Sequence, residues 1–170
     1  MPFIFIGTGG MGKETVSRIK YLADSAKLRN VFYLGFDIDS AVSADKTADI
    51  PMPNICVERP FQDIKALEDK DNKEFSKWWP KGHSIRTTLC GSTGAGQIRI
   101  NGRFALFSRY AVVYSQIDNV IKSANDISKK DPNDNVVYVF LISSLGGGTG
   151  AGIFLDISFL IRHLLGDNHR

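Results

Sequence analysis

Apolar and polar positions fall into blocks along this chain, and their lengths and periods predict a repeating order of strand, loop and helix. Phe3-Ile4-Phe5-Ile6 is a short apolar run that stops at Gly7-Thr8-Gly9-Gly10-Met11-Gly12-Lys13. From Glu14 to Leu28 the apolar residues Val16, Ile19, Leu22, Ala23 and Ala26 recur at helical spacing, with Lys and Arg between them. Val31-Phe32-Tyr33-Leu34-Gly35-Phe36 is the next buried strand and ends at Asp37-Ile38-Asp39-Ser40. Strand, glycine loop, helix and strand in that order form the βαβ unit of a parallel sheet.

Residues 41–60 are interrupted by Pro51, Pro53 and Pro60 and predict irregular chain, while 61–79 predicts one or two short helices stopped by Pro80. Ile85 to Leu89 is a candidate strand, followed by a further glycine loop, Gly91-Ser92-Thr93-Gly94-Ala95-Gly96-Gln97. Phe104 to Lys130 holds the longest helical pattern and predicts one helix, ended by Asp131-Pro132-Asn133-Asp134. Val136 to Ile142 is almost wholly apolar, rich in β-branched and aromatic residues, and reads as a buried parallel strand. It leads into Gly146-Gly147-Gly148-Thr149-Gly150-Ala151-Gly152 and then a buried helix from Ile153. The expected fold is α/β, one domain with a doubly wound, mainly parallel, Rossmann-like sheet. A sheet ordered third, second, first, fourth strand sets the loops at Gly7 and Gly146 side by side, with Asp37 and Asp39 at the adjacent strand end.

Composition narrows the class. A length of 170 residues suits a single domain, and 43% hydrophobic with 23% charged residues is ordinary for a soluble globular protein. A net charge of +3 gives no indication of nucleic acid. Cys56 and Cys90 have no CxxC spacing and form no ligand pattern with His83, His163 and His169, so a zinc site is not expected and a reducing compartment fits. Met1 to Ile6 lacks the basic region of a signal peptide, and the apolar segment 153–165 is too short to span a membrane and carries Asp156 and Arg162. The expected location is the cytoplasm.

The chemistry lies in the loops. Five glycines in the seven positions 146–152 leave the backbone open to a ligand, which is how N–H groups at a helix start reach an anion. Asp39 beside such a cradle is a candidate magnesium ligand and equally a helix cap or turn residue. Gly7-x-Gly9-x-x-Gly12, with Asp37 ending the second strand, also satisfies a dinucleotide fingerprint for NAD or FAD, but that fingerprint needs no second glycine loop. Gly7-x-x-x-x-Gly12-Lys13 approaches a P-loop, yet Glu14 stands where Ser or Thr must hold magnesium; Lys13 then reads as a solvated first-turn residue. A nucleotide-free interaction domain, using Trp78-Trp79 beside Lys77, Lys81 and Arg86 as a partner surface, is the remaining alternative.

Gly146 to Gly152 resembles the tubulin/FtsZ signature GGGTG[ST]G, departing only at Ala151. Asp37-Ile38-Asp39 resembles the Asn-Thr-Asp loop of the FtsZ branch, and Gly94-Ala95-Gly96-Gln97 resembles that family's γ-phosphate loop. The pattern is most similar to divergent bacterial tubulin-like proteins. The resemblance implies GTP or GDP bound with magnesium. Gly7, Gly9, Gly10 and Met11 would lie at the α- and β-phosphates, and Gly146, Gly147, Gly148, Thr149 and Gly150 would cradle the phosphates. Gly94, Ala95, Gly96 and Gln97 would close over the γ-phosphate, with Asp39 near the metal; Arg99 and Arg103 are more simply surface or salt-bridge residues. It also implies filament assembly with GTP hydrolysis at subunit contacts. The chain reaches Arg170 just beyond the helix after the signature, so the resemblance implies the amino-terminal half of such a domain, without the catalytic loop.

Overall fold

The computed structural model describes residues 1–39, 49–91, 94–130 and 136–166. Three parallel strands, β1 (Phe3–Thr8), β2 (Val31–Phe36) and β3 (Tyr138–Ser143), form one sheet in the order β2-β1-β3. Thr8 pairs with Phe36 on one side and Ser143 on the other, so the two loop-bearing strands β1 and β3 are neighbours, as expected. The α/β, Rossmann-like architecture is therefore present, with β1 at its centre.

Alternation divides β1 between two faces. Ile4 and Ile6 are fully buried and join Leu34, Phe36, Ile117, Ile153 and Ile157 in one core. On the other face Phe3 stacks on Tyr138 at 5.6 Å and Phe5 on Phe140 at 5.0 Å, cross-strand pairs that fix the register. Helix α1 (Gly9–Ser25) packs on that second face: a Cβ at Gly12 would run into the Ile142 carbonyl, so only glycine lets the helix lie this close. It stops short of Leu28 because Lys27 turns left-handed and the Leu28 N–H reaches back to the Ala23 carbonyl at 2.9 Å, a Schellman closure.

Beyond β2 come α2 (Pro60–Asp69) and the single turn α3 (Lys73–Ser76), where one or two short helices were expected. The candidate strand 85–89 does not join the sheet. Ile85 and Leu89 are buried but the residues between them are exposed, and only Leu89 pairs, in an isolated antiparallel bridge to Val57. Beside that bridge Cys56 and Cys90 form a disulfide with Cα atoms 4.9 Å apart, which corrects the reading of two unpaired cysteines suited to a reducing compartment.

The expected long helix is two, α4 (Arg99–Ser108) and α5 (Tyr110–Ser128). The break falls at Arg109, where ψ is 19° and the guanidinium Nε donates to the Cys56 carbonyl at 3.0 Å. Apolar periodicity runs through such a corner because both helices turn an apolar face to one core. Helix α6 (Gly148–Leu165) starts five residues before Ile153. Its 18 residues are long and apolar enough to cross a membrane by length and composition, which corrects the expected shortness. Here Ile153, Ile157, Leu160 and Ile161 are buried in the shared core, and Asp156 pairs with Arg103 at 3.0 Å. Trp79 is only 6% exposed and packs on Phe75 and Phe104, while Trp78 lies under the Arg103 guanidinium, so the two tryptophans are not a free partner surface.

Candidate functional site

The first turn of α6 is wedged between the other two glycine loops. Gly9, left-handed at φ +70°, begins α1, and a Cβ there would stand 2.7 Å from the Gly150 nitrogen. On the other side, a Cβ at Gly148 would meet the Ala95 Cβ and the Ile98 nitrogen, both at 2.7 Å. A Cβ at Gly150 would lie 2.7 Å from the Thr8 carbonyl oxygen. All three loops named from sequence therefore converge. The 94–97 loop arrives from the start of α4, not from the carboxyl end of a sheet strand as expected.

These distances sort the glycines. Gly7, Gly12, Gly148, Gly150 and Gly152 are required by backbone packing, because a methyl group would overlap main-chain atoms. Gly147, Gly94 and Gly96 have no heavy atom within 4 Å of a Cβ position, and Gly10 has only the Asp37 Oδ2, at 3.8 Å. Gly146 is exposed, and its N–H is held by the Ser144 Oγ at 3.2 Å. Met11 is 63% exposed on the first turn of α1. Glycine density in 146–152 thus has two causes, close packing of α6 and an open approach to Gly147.

Three helices present their amino ends here. Thr8, Ile98 and Gly147, the N-cap residues of α1, α4 and α6, make no side-chain capping bond, and none of the three first turns carries an acidic residue. Uncapped first turns leave N–H donors and the positive end of the helix dipole for an anion. Thr8 Oγ1 is buried at this junction without a hydrogen-bond partner.

Beneath the loops sits a charged network. Asp37 is nearly buried, and its Oδ1 accepts from the Ile38 N–H at 2.9 Å. Lys13 Nζ lies 3.7 Å from Asp37 Oδ2 and donates to the Asp39 carbonyl at 3.0 Å. Burial pushes the Asp37 carboxyl up from its ordinary range; Lys13, the Ile38 and Asp39 N–H groups and the Thr149 hydroxyl oppose this only in part. The ion pair and the raised pKa agree once geometry is weighed, because the short contact of the ammonium goes to a carbonyl and not to the carboxylate. Lys13 is thus no solvated first-turn residue: its side chain is 12% exposed. Asp37, engaged by Lys13 and Thr149, offers no free carboxylate of the kind a dinucleotide fingerprint needs for a ribose hydroxyl.

Arg99 donates to the Leu145 carbonyl at 3.2 Å and so ties α4 to the loop before α6. Arg103 is occupied by Asp156 and Trp78. Asp39 is half-buried at the end of the β2 loop, and among the described residues no three His, Cys, Asp or Glu side chains gather as a metal cluster. Sequence reasoning passed over Asn101, whose buried amide reaches the 94–97 loop; Gly102, where a Cβ would press on Thr149 Cα at 2.9 Å, stood in the sequence only as part of the pattern Gly94-Ala95-Gly96-Gln97…Gly102-Arg103. The only local signal for Asn101 was a polar side chain between the apolar Ile100 and the glycine at 102.

A family model described as tubulin like matches residues 4–170. No curated protein matches the chain.

Proposed function

The chain belongs to the tubulin-like family, and from that premise we propose that it binds a guanine nucleotide, GTP or GDP, by its phosphates. One observation supports this reading above others: three uncapped helix amino ends converge beside glycines whose Cβ positions are empty. In this reading Gly9, Gly10 and Met11 offer first-turn N–H groups to the α- and β-phosphates, while Gly7 shapes the turn beneath them. Gly146 to Gly150 border the phosphates, with Gly147 and Gly148 nearest. Thr149 acts through its backbone, since its hydroxyl serves Asp37. Gly94, Ala95, Gly96 and Gln97 face the terminal phosphate.

A buried hydroxyl without a partner costs about 1–3 kcal/mol, and a ligand oxygen reaching Thr8 Oγ1 would offset it. Among the described residues Asp39 is the carboxylate that would serve magnesium, Asp37 being engaged by Lys13, so phosphate oxygens and water would supply most of its shell, as is common for this ion. No catalytic group is assigned in this chain. Hydrolysis and filament assembly belong, in this proposal, to the assembled protein, where this site meets residues of a neighbouring subunit.

Calorimetric titration with magnesium–GTP, with GDP, ATP and NADH as competitors, tests the proposal. Binding of GTP and GDP that is lost in Gly147→Val, with the fold intact by circular dichroism, is the expected result. Binding of NADH undisturbed by triphosphates would overturn it, as would no binding of any nucleotide.

A further inference from the structure

We propose that Asn101 is a positioning residue that aims the Gly96 N–H of the 94–97 loop and thereby sets the preference for a triphosphate over a diphosphate. The selectivity rests on the phosphate-binding reading above; the positioning itself rests on geometry alone.

Asn101 lies in the first turn of α4 and is 7% exposed. Its Nδ2 donates to the Ala95 carbonyl at 3.2 Å, and its Oδ1 stands 3.1 Å from His83 Nε2. The amide nitrogen must face the carbonyl, so the amide oxygen faces the ring and His83 Nε2 carries the proton. His83 is itself fixed, by its backbone N–H to the Pro80 carbonyl at 3.1 Å and by its ring against Trp79 at 5.0 Å. Trp79 belongs to the aromatic core with Phe75 and Phe104. The loop is thereby anchored, through His83 and Trp79, to the buried aromatic cluster.

The loop needs such an anchor. Gly94, Gly96 and Gln97 are all left-handed, at φ +52°, +58° and +60°, and Gly96 and Gln97 are exposed. The Ala95 carbonyl accepts twice, from Asn101 Nδ2 and from the Ile98 N–H at 3.1 Å. A planar trans peptide points its N–H opposite to its carbonyl. Two donors holding the Ala95 carbonyl toward α4 therefore turn the Gly96 N–H away from that helix, on a residue that is exposed and whose Cβ position is empty to 4 Å. Ala95 packs against Gly148 on the first turn of α6, so that donor sits beside the cradle.

Asn101→Asp keeps an acceptor for His83 and replaces the donor to Ala95 with a carboxylate oxygen. Two measurements decide. In the nucleotide-free chain, amide hydrogen exchange across 94–98 should quicken about tenfold while β1 and β2 keep their protection, the size expected for one lost hydrogen bond of about 1.4 kcal/mol. In calorimetry, the GTP-to-GDP affinity ratio should fall about tenfold with GDP affinity unchanged. Unaltered exchange in the loop overturns the positioning role whether or not nucleotide binds. Altered exchange with an unaltered affinity ratio overturns the selectivity. A wild-type chain that binds no nucleotide removes the phosphate reading, and the exchange result still decides the positioning. Should Asn101→Asp fail to fold, His83→Phe keeps the ring on Trp79 and removes only the partner of Asn101 Oδ1; it should show the same changes at about threefold.

Discussion

Replacing Lys13 with methionine tests the charged network that joins α1, β2 and α6. The ammonium and the Asp37 carboxylate are 3.7 Å apart, with side chains only 12% and 6% exposed. At an effective dielectric constant near 20 their attraction is about 4.5 kcal/mol. Methionine fills most of the lysine stem, so the cavity cost is small, and release from burying the ammonium offsets part of the lost attraction. A net loss of about 3 kcal/mol at neutral pH remains, in the range for removing one member of a buried pair. The Asp37 carboxyl is already raised above its ordinary value by burial, and loss of Lys13 raises it further. A folded-state pKa above the unfolded one gives stability that is complete below the unfolded pKa and is lost as pH rises through the folded pKa. The penalty of Lys13→Met must therefore shrink on acidification, and Lys13→Met/Asp37→Asn, which buries no charge, must recover most of the stability at neutral pH. Urea unfolding at about pH 7 and about pH 5 reads all three terms. A loss under about 1 kcal/mol at neutral pH, or a double variant no better than the single one, would refute the reasoning.

Gly148→Ala should cost about 1–3 kcal/mol in urea unfolding, because the new methyl group overlaps Ala95, Gln97 and Ile98. Gly147→Ala, with nothing within 4 Å, should change stability by under about 0.5 kcal/mol and lower the affinity for magnesium–GTP in the same titration. Cys56→Ser/Cys90→Ser, or a dithiol reductant, should cost about 4 kcal/mol on the chain-entropy account of a 34-residue separation, read as a fall in Tm. Arg103→Ala, at a partly exposed pair, should cost under about 1 kcal/mol and leave nucleotide affinity as it was.

Much of the fold was legible because hydrophobic period reports burial. The runs at Phe3, Val31 and Val136 are sheet strands with the first and last adjacent, but β3 is not the buried strand expected: none of its residues is buried, and Tyr138 and Phe140 are exposed on the edge of the described sheet. Where period misled, burial was shared between elements. Residues 104–130 keep one apolar stripe across the Arg109 corner because both helices face the same core. Ile85 and Leu89 have the spacing of a strand, but they belong to a loop strapped to Val57 and Cys56. Polar partners were the least legible part. The contacts from Lys13 to Asp39 and from Asn101 to His83 span 26 and 18 residues, and nothing in local spacing encodes them.

The glycines of 146–152 show why composition pointed to the right place for an incomplete reason. Their number suggested a backbone opened for a ligand, yet Gly148, Gly150 and Gly152 are spent on neighbouring main chain, and of the five only Gly147 has a Cβ position with nothing within 4 Å. The packing glycines still create the site. Without side chains at Gly9 and Gly150, the β1–α1 turn meets the start of α6 within backbone contact; Gly148 and Gly102 do the same for α4. Three positive helix ends pressed this closely repel one another, and no side-chain cap screens them. An anion at their meeting point would relieve that repulsion, so stabilisation of this chain by phosphate-bearing ligands should follow from its glycine packing as directly as from any single donor.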